Sequence, residues 1–89
     1  MKFALVVTEY QEAQLTLEEG RNVRNFLGLA KDIAVKHESV TRLSPETFLL
    51  HLDAGLLPLA SLLTLADNWH IRTRTLFFDQ DPPWVISEG

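Results

Sequence analysis

The sequence predicts a small α/β domain, a two-layer sandwich in which a three- to four-stranded sheet carries about three helices. Three observations predict it. Residues 2–8 form an apolar run with Phe3, Leu5 and Val7 on one face and Ala4 and Val6 on the other, the pattern of a strand buried on both sides. Residues 23–37 repeat apolar side chains at helical spacing, and residues 70–79 alternate with the period of a strand. The expected order is strand, helix, strand, helix, helix, strand, strand, within one domain spanning residues 1–89. An α+β ferredoxin-like arrangement is the nearest alternative. If the first strand and a later one run parallel, the helical connection between them is a right-handed crossover.

Each element has its own signal. After the first strand, residues 10–17 fit either a loop or a weakly alternating strand. Thr16-Leu17-Glu18-Glu19 then has the spacing of a capping box, in which the hydroxyl accepts an orphan N–H and Glu19 reaches back. The helix that follows places Val23, Phe26, Leu27, Ala30, Ile33, Ala34 and His37 on one face. Gly20 weakens its first turn by roughly 1 kcal/mol relative to Ala. Residues 39–43 suit a short strand. Ser44 as N-cap, Pro45 in the first helical position and a Leu43–Phe48 staple predict a second helix, ended by Gly55. A third starts near Leu57, with Pro58 tolerated in its first turn, and ends around Asp67 and Asn68. In the last strand Ile71, Thr73, Thr75 and Phe77 face one way and Arg72, Arg74, Leu76 and Phe78 the other. Pro82 and Pro83 exclude a central strand, and residues 84–86 suit a short edge strand.

Between Asp53 and Asp67 no residue is charged, and the segment is rich in leucine. As a helix it is apolar almost all round, apart from a stripe of Ser61, Thr64 and Asn68. Such a helix calls for burial on more than one side, which in a short chain points to self-association. The segment is shorter than the roughly 20 residues a membrane-spanning helix needs. The N-terminal apolar run is likewise too short for a signal peptide, so a soluble, cytoplasmic protein with no membrane partner is expected.

Composition excludes several chemistries. Without cysteine there are no disulfides, zinc-thiolate sites or cysteine nucleophiles. A formal net charge of −4 disfavours general polyanion binding. His37, His51 and His70 lack metal-ligand spacing, and no phosphate loop, nucleophile elbow or dinucleotide fingerprint is present, so neither a cofactor nor a metal nor a catalytic residue is assigned. Glu9, Glu12, Glu18 and Glu19 read as a solvated loop and as complements to the helix dipole, and Asp79 and Asp81 as turn formers.

What remains is aromatic and cationic surface. Trp69, Phe77, Phe78 and Trp84 gather in the last quarter, and Phe77 and Phe78 must face opposite sides of a strand. The sequence therefore points to a non-catalytic interaction module, homodimeric and binding a macromolecular partner such as a protein, with residues 57–66 and the Phe78/Trp84 region as contact surfaces and Arg72 and Arg74 beside them. One alternative is a nucleic-acid-associated regulator using Arg21, Arg24, Arg72 and Arg74, together with Lys31 should these converge. Another is a small-ligand binder or enzyme with a pocket at the strand ends near Glu9 and Asp79.

Overall fold

The computed structural model describes residues 2–10 and 15–80. Four strands and two helices follow in the order β1 (Phe3–Glu9), α1 (Leu17–Lys36), β2 (Val40–Ser44), β3 (Thr47–His51), α2 (Leu57–Asn68) and β4 (Arg72–Phe78). The strands form one sheet in the order β2-β3-β1-β4, and every neighbouring pair is antiparallel. β1 and β2 thus run parallel with β3 between them, and β3 and β4 run parallel with β1 between them. This is the split β-α-β plan, the connectivity of the α+β alternative. The two-layer sandwich stands, and β1–α1–β2 and β3–α2–β4 are the helical connections between parallel strands to which the crossover rule applies.

Both helices cover the same face of the sheet. Ala4 and Val6 of β1 and Phe48 and Leu50 of β3 pack with Phe26 and Ala30 of α1 and with Leu59, Leu62 and Ala66 of α2. Phe26, Phe48 and Val6 are wholly buried. α1 begins where the sequence placed it. The Glu19 amide donates to Thr16 Oγ1 at 3.1 Å, and Glu19 Oε1 accepts from the Thr16 amide at 3.4 Å, so the capping box is complete. Its buried residues Val23, Phe26 and Ala30 lie on the predicted stripe, while Val35 is left exposed.

The largest departure is at residues 44–54, which are not a helix. They form the second strand of a β2–β3 hairpin and then a single 3₁₀ turn, Leu52–Ala54. Ser-Pro-Glu serves a tight turn as well as it serves a helix start, because proline presets the φ that both require. The Ser44 hydroxyl accepts from the Glu46 amide at 3.3 Å, a bond that closes the turn instead of capping a helix. The Thr8 amide donates to the Glu46 carbonyl at 2.8 Å and ties the turn to β1. The Phe-Leu-Leu run is apolar on both sides because β3 is a central strand, so periodicity alone could not separate it from a helix. A register irregularity between Arg42 and Ser44 leaves Leu43 partly exposed. Among the described residues the sandwich therefore holds two helices rather than about three. Gly55 does adopt positive φ, at 116°, where it ends the 3₁₀ turn.

α2 is buried on one side only. Pro58, Leu59, Leu62 and Ala66 are buried, Leu63 and Leu65 partly so, and Leu57 is 69 % exposed. The charge-free segment thus needs no second covering layer within the chain, contrary to its all-round apolar pattern. Its C-terminus has the bonding of a Schellman motif: Ile71 N–H donates to the Ala66 carbonyl at 2.8 Å and His70 N–H to that of Asp67 at 3.1 Å. His70 occupies the left-handed position of that motif with φ of 57°, where glycine is the usual residue. The expected strand over residues 84–86 lies outside the described residues, as do residues 11–14 of the ambiguous segment 10–17.

Replacing His70 by glycine removes the steric cost of a side chain in the left-handed region, partly offset by the greater freedom of glycine in the unfolded chain. His70→Gly should stabilise the fold by up to about 1 kcal/mol, seen as a higher midpoint of urea unfolding; a lower midpoint would contradict this account of the helix end.

Candidate functional site

Period-two alternation sends one half of each strand to the helices and the other half to the opposite face. On β4 the second half is Arg72, Arg74, Leu76 and Phe78, opposite Glu9, Val7, Leu5 and Phe3 of β1. The grouping predicted for this strand is therefore the one observed, and three of the four predicted contact residues share a face. The fourth, Trp84, lies outside the described residues.

At one end of this face two guanidinium groups share one carboxylate. Arg72 Nε is 3.5 Å from Glu9 Oε2, and Arg74 Nε pairs with Glu9 Oε1. Both arginine side chains are more than 70 % exposed, so the pairs are screened and contribute little to stability. At the other end the Phe3 and Phe78 rings stack at 5.5 Å between centroids, and His51 meets Phe3 edge-on at 4.9 Å. Between them Leu5 stands opposite both Leu49 and Leu76. Phe3 and Leu49 are buried, whereas Leu76 is 61 % exposed.

The cationic cluster imagined across elements does not form. Arg21, Arg24 and Lys31 lie on α1, on the helix side of the sheet, whereas Arg72 and Arg74 lie on its opposite face. Glu9 and Asp79 do not frame one pocket either. The antiparallel register sets Glu9 opposite Arg72 and Phe3 opposite Phe78, so the two carboxylates stand at opposite ends of the ladder, about 20 Å apart at strand spacing. Glu18 and Glu19 sit in the first turn of α1, as expected for complements to its dipole.

Three surfaces remain. β4 is an edge strand, hydrogen-bonded to β1 alone among the described residues. Leu76 and Phe77 are exposed on its two faces, at 61 % and 41 %. A groove of about 560 Å³ between α1 and α2 is lined by Leu29, Ile33, Leu57 and Ala60 and by the polar stripe residues Thr64 and Asn68. An open cleft of about 740 Å³ lies where β1 ends and β4 begins, beside the first turns of α1, with Thr8, Glu9, Glu19, Asn22, Trp69 and His70 among the residues on its walls. Thr8 and His70 escaped sequence reasoning. A threonine within an apolar strand is ordinary, and the signal for His70 was its place directly after a helix end, where glycine is usual.

Among the described residues no group of three or more His, Asp or Glu side chains could hold a metal ion. No helix there is long and apolar enough to cross a membrane. Compared with known proteins, the chain matches no family model, no curated protein and no solved structure.

The double pairing of Glu9 looks strong on paper and should measure weak. Glu9→Gln should lower the unfolding free energy by less than about 1 kcal/mol in chemical denaturation, since both partners are solvated. A loss of several kcal/mol would show that the cluster is a structural element rather than a solvated surface feature.

Proposed function

We propose that the chain is a small association module and that it pairs with a second copy of itself along β4. The observation that carries this reading is a seven-residue edge strand whose outer side has no strand partner among the described residues and which displays Leu76 and Phe77 on its two faces. Long exposed edges of this kind template further pairing unless charge or a bulge blunts them. Here Arg72 and Arg74 do not blunt the edge fully, because both are engaged by Glu9 of the neighbouring strand.

The β4 sequence also suits pairing with itself. A two-fold axis at Thr75 sets Arg74 opposite Leu76 and Arg72 opposite Phe78 of the second copy, with Thr73 opposite Phe77. No arginine then faces an arginine, and each guanidinium lies over an apolar or aromatic neighbour. One strand pair is a small interface, so association in the micromolar range is expected. A protein partner could extend the same edge by strand addition.

One observation favours a second reading. Arg72, Arg74 and Phe78 share a sheet face, and cationic and aromatic groups together are what single-stranded nucleic acid uses. Two features weigh against it. Phe3 is only 8 % exposed and stacked on Phe78, which leaves little open ring for a base, and the arginine charges are shared with Glu9. This reading requires binding to a single-stranded homopolymer that weakens steeply with salt and falls in the Arg72→Ala/Arg74→Ala variant.

For the leading reading, light scattering at roughly 100 μM, well above a micromolar Kd, should give twice the mass of the 10.1 kDa chain. Leu76→Arg places arginine opposite the second copy's Arg74 and should return the chain to a monomer that melts as the dilute, dissociated wild type does, because position 76 is exposed. A wild type that is monomeric at that concentration overturns the reading.

A further inference from the structure

Among the described residues the sheet has two edges, and they are built differently. β2, at one edge, has five residues and a register irregularity between Arg42 and Ser44, and short irregular edges resist further pairing. β4, at the other, pairs regularly with β1 over all seven of its residues. What it sets against a further strand is charge alone, Arg72 and Arg74, two residues apart on one face. Both meet Glu9 of β1, Arg72 Nε at 3.5 Å from Oε2 and Arg74 Nε on Oε1. The Glu9 side chain is 29 % exposed, so it is the most covered member of the three.

The place of this carboxylate matters more than its strength. β1 lies on the inner side of β4, so Glu9 supplies its countercharge from within the sheet rather than from the outer side. In self-pairing about a two-fold axis at Thr75, Arg74 stands diagonal to the second copy's Arg74 on the same sheet face. Diagonal neighbours across a strand pair lie about 7–8 Å apart, within the Debye length of about 10 Å at 0.1 M salt. Two guanidinium groups at that spacing repel. With Glu9 in place each cluster holds two positive charges and one negative, a net of +1; without it the net is +2. Repulsion scales with the product of the charges, so the loss of both carboxylates raises it about fourfold.

We propose that Glu9 is the residue that opens the β4 edge to a second copy, by neutralising from β1 the charge that would otherwise keep two such edges apart. This rests on the self-association reading and gives that interface a control residue one strand removed from it. Like charges set against each other are a common device for refusing a partner, and Glu9 disarms it here.

The test measures the dimer dissociation constant of the full chain by sedimentation equilibrium, at about 20 mM and about 500 mM sodium chloride, which bracket strong and weak screening. Glu9→Gln keeps the size of the side chain and its capacity to accept hydrogen bonds, and removes the charge. It should weaken association about fivefold at low salt and less than about twofold at high salt. Glu9→Gln/Arg74→Gln removes the diagonal guanidinium pair and should return the dissociation constant to within about twofold of the wild type at low salt. A merely structural role for Glu9 would give a loss that salt does not relieve and the second substitution does not rescue, and that result overturns the proposal. Equal association of Glu9→Gln and wild type at low salt overturns it too, while leaving self-association standing. A wild type that stays monomeric overturns both.

Discussion

Everything in this fold depends on the pairing of β1 with β3 at the centre of the sheet. These two strands supply Ala4, Val6, Phe48 and Leu50 to the face the helices cover, and the two helices close over that patch. Because both helices take one face, the other face of the central strands must be apolar enough to sit mid-sheet yet has no helix on it among the described residues. Phe3, Leu5 and Leu49 are the result. Apolar residues on both sides of β1 and β3 are thus a consequence of position in the strand order, and they explain why a chain of this size has so much apolar sequence.

The same constraint decides what could be read from the sequence. α1 was legible to its capping box because helical periodicity and local hydrogen bonding agreed, and both are properties of neighbouring residues. β4 was legible down to which side chains share a face, since an edge strand with a solvated side keeps its alternation. β3 was not. A central strand loses its alternation, and Ser44, Pro45 and Glu46 serve a turn and a helix start equally. What selected the strand was pairing with residues some forty positions away in sequence, Leu50 with Ala4 and Phe48 with Val6. Sequence patterns of local range carry no trace of that pairing.

The candidate surfaces divide along the same line. Arg72, Arg74 and Phe78 were visible because they belong to one strand, and their common face follows from a period of two. The supposed convergence of Arg21 and Arg24 with them failed because it needed the topology to bring α1 and β4 to one side. The cleft depends still more on topology. Thr8, Asn22, His70 and Arg72 come from β1, α1, the turn after α2 and β4, and only the split β-α-β order brings the end of β1 beside the start of β4.

His70 stands where the turn, rather than the side chain, dictates the backbone. The helix end before β4 must reverse the chain sharply, and the Schellman motif does so with one residue at positive φ. Glycine would satisfy the turn at lower cost and would leave the cleft wall without a side chain. Thr8, whose buried hydroxyl has no hydrogen-bond partner, lines the same cleft. β4 then begins with one residue in the cleft wall, Arg72, that is also salt-bridged to Glu9 on the sheet face. Its guanidinium is thereby committed to the face away from the helices, together with Arg74.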